Sequence, residues 1–271
     1  MNSDLTLHNG NRIPAVGLGT FRIEDQQLAA STVRAAIDLG YRHIDTASIY
    51  GNEEGVGRGI AEASAAREDI FLTTKIWNDD LRSMRVEEAF EESLKRLGTD
   101  YVDLLLVHWP AGDYLKYWAD FERLYEQGRV KNIGVSNFTI RMLDELLSVC
   151  RQKPVVNQIE RHPLFTQKPL LKFCDKHEIA VTAWSGFMVG ELLENREILK
   201  LAEKYRKTAA QVILRWNYQY GVLNIPKSVK PERLAENLNI FDFKIEYEDL
   251  KLIDSLDQNL RKGPNPENFD F

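Results

Sequence analysis

The sequence predicts an α/β protein folded as a (β/α)8, or TIM, barrel behind an N-terminal β-hairpin. Three observations carry this. From Ala15 onward, short apolar or β-branched runs alternate with helix-length amphipathic segments, and the alternation repeats eight times. Val102-Asp103-Leu104-Leu105-Leu106-Val107 is nearly continuous apolar sequence, as a parallel strand covered on both faces requires. The glycine-rich fingerprint that would mark a doubly wound sheet is missing: Gly17-Leu18-Gly19-Thr20-Phe21-Arg22 has Arg22 where the third glycine belongs. Gly55-Val56-Gly57-Arg58-Gly59 lies inside a helical pattern rather than after a strand.

In order along the chain, Leu5–Leu7 and Arg12–Pro14 flank an Asn9-Gly10 turn, the signature of a hairpin. The strand candidates are Ala15–Gly19, Tyr41–Asp45, Ile70–Lys75, Val102–Val107, Asn132–Ser136, Val155–Glu160, Ala180–Trp184 and Val222–Pro226. Between them lie helical patterns at Gln27–Leu39, Glu53–Ala63, Arg85–Leu97, Tyr114–Glu126, Thr139–Val149, Lys168–His177, Arg196–Tyr205, Thr208–Tyr220 and Pro231–Asn237. No linker or low-complexity block interrupts the series, so a single domain over 1–271 is expected, ending in a polar, proline-containing tail from Gly263 to Phe271.

Composition narrows the function classes. With 44% apolar and 28% charged residues, the 271-residue chain has the balance of an ordinary globular protein. A formal net charge of −6 and the lack of a long basic patch argue against nucleic acid or an anionic membrane as partner. Met1-Asn2-Ser3-Asp4-Leu5-Thr6 has neither the basic nor the apolar part of a leader, so a cytoplasmic protein is expected. Cys150 and Cys174 sit in helical patterns and are read as free thiols.

In a barrel of this kind the active site lies at the C-terminal strand ends. Asp45 closes the second strand and Lys75 the third, while His108 follows the fourth. Ser136 and Asn137 end the fifth, Gln158 and Glu160 the sixth, Trp184 the seventh, and Lys227 follows the eighth. Singly, each has a bland explanation: a turn cap, a solvated charge, a structural histidine. Together they gather acid, base and amide groups at one mouth, with Tyr50 close behind Asp45. Pairing with Asp45 would keep a buried Lys75 charged. That charge is expected to lower the tyrosine pKa, ordinarily about 10, by roughly 1 to 3, making Tyr50 a general acid. His108 is placed to stabilise negative charge developing on a carbonyl oxygen.

The runs Gly17-Leu18-Gly19-Thr20, His43-Ile44-Asp45-Thr46-Ala47, Thr74-Lys75-Ile76-Trp77, Val107-His108-Trp109-Pro110, Gly134-Val135-Ser136-Asn137-Phe138, Asn157-Gln158-Ile159-Glu160 and Ile225-Pro226-Lys227-Ser228 occur in order, each at a strand end. In them the chain resembles the aldo-keto reductases, and most closely the short-looped 2,5-diketo-gluconate reductase and prostaglandin F synthase type. The resemblance implies hydride transfer from NADPH to an aldehyde or ketone, with Asp45, Tyr50, Lys75 and His108 catalytic. It further implies cofactor contacts from Thr20, Asp45, Ser136, Asn137, Gln158, Trp184, Ser185, Lys227, Ser228, Val229, Arg233, Glu236 and Asn237, and a substrate pocket lined by Phe21, Trp77 and Trp109. A monomer acting on a small-molecule carbonyl substrate is expected: a ketoaldehyde, a keto-sugar acid or an aromatic aldehyde.

The residues after the eighth strand support the cofactor assignment. Lys227, Ser228 and Arg233 offer a point charge, a hydroxyl and a guanidinium fork beside a helix start at Pro231, which suits a ribose 2′-phosphate and favours NADPH over NADH. The chain departs from the family pattern at Ser185-Gly186-Phe187-Met188-Val189-Gly190, where Ser-Pro-Leu is usual; without proline this loop is expected to be looser in the free protein. Arg161 is also unusual there, and is expected beside the cofactor or substrate, where it would bias charge preference. Two rival readings are a metal-dependent hydrolase and a non-catalytic NADPH-binding sensor. The first lacks a histidine pair at ligand spacing and a Gly-x-Ser-x-Gly elbow; the second is disfavoured by the complete catalytic tetrad.

Overall fold

Eight strands hydrogen-bond in parallel, each to the next in sequence, in the computed structural model, which describes residues 4–271. Met1–Ser3, part of the N-terminal stretch read above as lacking a leader, lie outside the described residues. The hairpin comes first: β1 (Asp4–Thr6) pairs antiparallel with β2 (Arg12–Pro14), and Gly10, at φ 87°, takes the left-handed turn position. The barrel strands are β3 (Leu18–Gly19), β4 (His43–Asp45), β5 (Phe71–Ile76), β6 (Leu104–Val107), β7 (Ile133–Ser136), β8 (Val156–Glu160), β9 (Ala180–Trp184) and β10 (Val222–Asn224). Val16 bridges in parallel to Asn224, and Gly17 N and Gly19 N donate to Asn224 O and Pro226 O, so β10 returns to the start of the series.

The helices are α1 (Gln26–Asp38), α2 (Glu53–Ala61), α3 (Asn78–Arg82), α4 (Val86–Leu97), α5 (Tyr114–Glu126), α6 (Ile140–Leu147), α7 (Lys168–Lys176), α8 (Arg196–Tyr205), α9 (Ala209–Gln219), α10 (Pro231–Leu238) and α11 (Tyr247–Asp254). Among them α3 and α11 were not foreseen. The strands predicted at Ala15–Gly19, Tyr41–Asp45, Val102–Val107 and Val222–Pro226 are all shorter than expected, the second and the last for identifiable reasons. Tyr41 N donates back to Ala36 O, so Tyr41 still belongs to the end of α1, and β4 starts only at His43. Pro226 has no N–H to continue a ladder, and β10 stops at Asn224. The glycines of the Gly55–Gly59 run serve helix packing: a Cβ on Gly59 would lie 2.5 Å from Ala30 O of α1, and one on Gly57 would lie 2.1 Å from Leu97 O at the end of α4.

Register decides what fills the barrel. Neighbours across a parallel ladder share a face, and residues two apart on a strand share it too. Asp45 pairs with Thr73, Lys75 with Leu106, Leu106 with Gly134, and Ser136 with Gln158. One face therefore carries Phe71, Leu104, Leu106 and Val156 low in the barrel, where Leu7 and Ile13 of the hairpin region pack against them. The polar residues Asp45, Lys75, His108, Ser136 and Gln158 follow on the same face at the opposite, C-terminal end. The outward faces of the strands pack on the helices through residues such as Ile44, Leu105, Val107, Val135 and Ile159. Among the described residues no helix is long and apolar enough to cross a membrane, and Cys150 and Cys174 are both free thiols.

His43 marks the layer between the apolar plug and the polar mouth. It packs edge-on to Phe71, and its Nε2 lies 3.1 Å from Thr73 Oγ1. Burial drives its pKa down to about 4. The unfolded chain takes up a proton at about 6.5, so between those values the unfolded state binds more protons and stability is lost as the pH falls, by on the order of 3 kcal/mol at the lower end. Urea unfolding of the protein and of His43→Gln, each at about pH 7 and about pH 4.5, measures this, and the variant is expected to lose less stability on acidification. Equal losses would contradict it.

Candidate active site

Asp45 and Lys75 form a fully buried ion pair, 2.6 Å between Nζ and Oδ1, with side chains 2% and 0% exposed. All three Lys75 protons have acceptors: Asp45 Oδ1, Thr46 O at 2.7 Å and Tyr50 Oη at 3.3 Å. Burial by itself would strip the ammonium of its proton; the Asp45 carboxylate and the Tyr50 oxygen outweigh it and hold the Lys75 pKa above its ordinary value. The second Asp45 oxygen accepts from Gln158 Nε2 at 2.7 Å, so β4, β5 and β8 are tied together at one carboxylate.

Tyr50 reaches this pair from a single 3₁₀ turn, Ser48–Tyr50, closed by Gly51 in the left-handed conformation at φ 65°. Two contacts fix that turn. Ser48 Oγ donates to Lys75 O at 3.1 Å. Asn52, fully buried, accepts from Thr46 Oγ1 at 2.8 Å and donates to Thr20 O and Ile23 O, so the loop after β3 braces the loop after β4. Because Tyr50 Oη accepts from Lys75, its own proton is left to point away from the pair. The expected lowering of the Tyr50 pKa is not met. Burial raises it, and although Lys75 pulls it down, Asp45 beside that lysine pushes it back up, leaving the phenol above its ordinary value and protonated.

His108 packs edge-on to Tyr50 and to Trp77, with ring centroids 5.6 Å and 5.1 Å away. Burial and the Lys75 charge hold its pKa well below the ordinary 6.5, so the ring is neutral. Its Nδ1 is buried without a hydrogen-bond partner among the described residues. Beyond His108, Asn137 Nδ2 donates to His108 O and to Ser136 Oγ, Asn137 Oδ1 accepts from Trp184 Nε1 at 2.9 Å, and Ser136 Oγ donates to Gln158 O. The strand-end amides and hydroxyl are thus joined in one network running from Asp45 to Trp184.

Of the aromatic residues expected here, Phe21 lies 5.0 Å from Tyr50, Trp77 borders His108, and Trp109 faces Trp184 at 6.5 Å. The chain also brings two aromatics that sequence reasoning passed over. Phe271 stacks on Trp77 at 5.8 Å and meets Trp109 edge-on at 5.2 Å, while Phe269 lies 5.3 Å from Trp109. Their alternation at the end of a polar tail was the one available signal.

After β10, Lys227 and Arg233 are exposed and, among the described residues, have no carboxylate partner. Ser228 Oγ accepts from Lys230 N at 3.1 Å just before α10, Asn237 is buried on that helix, and Glu236 is held by Thr208 Oγ1 at 2.7 Å. Thr20, fully buried, donates through Oγ1 to Asp45 O at 3.0 Å. Ser185 takes a left-handed conformation, φ 57°, where β9 passes into a 3₁₀ helix, Met188–Glu194, whose Met188 and Leu192 are buried against α8 and α9. Arg161 requires a correction. It turns away from the mouth, its guanidinium 3.7 Å from the Trp216 ring centre and bonded to Thr166 O and the Asn217 side chain. Burial lowers its pKa to about 9, so it stays charged, as a packing element between β8 and α9.

Residues 15–258 match the model of the aldo/keto reductase family. The chain is 49% identical to the glyoxal reductase of Bacillus subtilis over 100% of its own length and 99% of the relative's. It is 43% identical to the methylglyoxal reductase DkgA of Salmonella typhimurium, covering 98% and 97%. Its fold matches the crystal structure of a Bombyx mori aldo-keto reductase in complex with NADP, with TM-score 0.92 at 37% identity over 98% of this chain and 99% of that one. The chain belongs to the aldo/keto reductase family.

Proposed function

We propose that the protein reduces small aldehydes and ketones to alcohols with NADPH, with Tyr50 as the proton donor. The observation that carries this reading is the Lys75 ammonium held between Asp45 and Tyr50 in a buried site: a proton donor backed by a fixed charge. Glyoxal and methylglyoxal reductases among the relatives make small ketoaldehydes the first substrates to test.

The residues present fit the cofactor. Lys227 and Arg233 are unpaired cations among the described residues, suited to the 2′-phosphate, with Ser228 between them, Val229 following and Asn237 on α10. Thr20, Ser136, Asn137, Gln158 and Trp184, tied to one another and to Asp45 at the strand ends, would hold the nicotinamide end, with Ser185 leading into the next loop. When bound, NADPH supplies the hydride.

The chain's own residues handle the oxygen. As the carbonyl carbon becomes tetrahedral its oxygen turns strongly basic, and Tyr50 O–H gives it a proton. The raised resting pKa of Tyr50 keeps that proton in place until an alkoxide, a far stronger base than phenolate, calls for it. The phenolate then left behind sits 3.3 Å from the Lys75 ammonium, so the charge finds its counter-ion without rearrangement. His108, neutral, donates from Nε2 to the same oxygen and orients it. Phe21, Trp77 and Trp109 form apolar walls that exclude water from the reacting groups.

NADPH consumption with methylglyoxal, a diketo-gluconate and an aromatic aldehyde tests the reading. The protein should turn over, and Tyr50→Phe should lose roughly 100-fold to 10,000-fold in rate. If neither turns over while NADPH still quenches tryptophan fluorescence, the protein binds the cofactor without reducing carbonyls; metal-dependent hydrolysis without NADPH contradicts the assignment outright. Arg233→Ala should weaken NADPH by about tenfold or more and leave NADH nearly unchanged in a fluorescence titration. Equal weakening would show that Arg233 does not read the 2′-phosphate.

A further inference from the structure

β8 ends in a carboxylate that the proposed reduction does not use. Glu160 is fully buried, across the ladder from Trp184. Its Oε1 accepts from Lys262 N at 2.7 Å and lies 3.1 Å from His162 Nε2; its Oε2 accepts from Gly263 N at 2.9 Å, with Arg261 Nη1 further off at 3.9 Å. Burial pushes this carboxyl up, and the bonds from His162 and the two main-chain amides outweigh it, keeping it ionised below the usual carboxylate range. Two of the close donors are backbone, so what the carboxylate fixes is the path of the chain. Gly263 is required at the crossing: a Cβ there would lie 2.5 Å from Trp184 Cη2 and 3.1 Å from Glu160 Oε2.

From this point the tail runs across the mouth. Glu267 bonds Thr139 Oγ1 and Arg141 Nη2, each at 2.6 Å, and Phe271 O accepts from Asn78 Nδ2 at 3.1 Å and Arg82 Nη2 at 2.6 Å, seating its ring between Trp77 and Trp109. The tether at Glu267 is solvent-exposed and contributes little. The Glu160 bonds are charge-assisted and made to a buried carboxylate, the stronger kind. Lys262 also pairs with Glu191 of the 3₁₀ helix after β9, so both loops flanking Trp184 share this anchor.

We propose that Glu160 is a positioning residue: by capping the main-chain amides of Lys262 and Gly263 it sets the seat of Phe269 and Phe271 against Trp77 and Trp109, and so sets substrate affinity without touching the reacting groups. The kinetic part rests on the carbonyl-reductase reading; the anchoring part does not.

Glu160→Gln replaces one acceptor oxygen with an NH2 group facing a backbone N–H, so one amide must detach. KM for methylglyoxal should rise roughly tenfold while kcat stays within about twofold, because the lost bond is to a buried charge. Hydrogen exchange at the amides of residues 262–263 should accelerate, a readout independent of activity. In a Phe269→Ala/Phe271→Ala background the Glu160→Gln effect on KM should shrink to about twofold or less, since all three changes act through the same two rings. Unchanged tail protection, a loss confined to kcat, or full additivity with the double alanine variant would overturn the proposal. Should Glu160→Gln fail to fold, Gly263→Ala displaces the same crossing from the tail side and must give the same KM rise and faster exchange; unchanged values there overturn it equally. If the parent protein reduces no carbonyl, the functional reading fails, and the anchoring stands or falls on the exchange measurement.

Discussion

A lysine ammonium and an aspartate, 2.6 Å apart and shielded from water, are the constraint around which this structure is arranged. Taking both charges out of solvent costs several kcal/mol per ion, and only close pairing with every remaining proton and lone pair satisfied offsets it. The molecule meets that demand by recruiting groups from across the mouth. Thr46 O and Tyr50 Oη take the other two lysine protons, and Gln158 serves the far oxygen of Asp45. Those same recruitments bring together the groups that chemistry on a carbonyl needs. Stabilising the buried pair and assembling the site are one geometric problem, solved at the ends of β4, β5 and β8.

Rigidity is unevenly distributed around that pair. Asp45, Lys75 and Gln158 sit on strands held by continuous ladders above an apolar plug of Phe71, Leu104 and Leu106. Tyr50 stands on a single turn whose placement depends on Asn52 and Ser48. The aromatic cover is looser still, being chain that crosses the mouth with three points of attachment whose bonds are part-buried or exposed. The gradient runs from fixed charge, through a braced tyrosine, to an apolar wall with fewer attachments.

Much of this was legible in the sequence, and the reasons are physical. Polar residues ending near-continuous apolar runs have no place in a core, so Asp45, Lys75 and His108 announced themselves as a cluster once the strands were recognised. The second and last barrel strands were read too long, because a ladder needs N–H partners that an apolar pattern does not report, as at Tyr41 and Pro226. Arg161 was placed on the wrong side although the sign was present: it follows Glu160, and alternation along a strand sends it outward toward Trp216. The direction of the Tyr50 shift depends on burial against two opposed charges, a balance that only packing decides. Phe269 and Phe271 were missed because nothing local says that a polar tail folds back onto two tryptophans 160 or more residues earlier in no contiguous motif; the anchor at Glu160 and the clamp at Arg82 are contacts of the finished fold.

The central claim is that the buried lysine charge serves the proton transfer rather than the binding of cofactor. Single-turnover oxidation of NADPH by methylglyoxal, compared between the protein and Lys75→Met with the NADPH Kd of each measured by tryptophan fluorescence, tests it most directly. The account predicts a rate loss on the order of 100-fold or more with Kd held within about threefold. A Lys75→Met variant that turns over at the parent rate, or that loses turnover only in proportion to weakened NADPH binding, would contradict it.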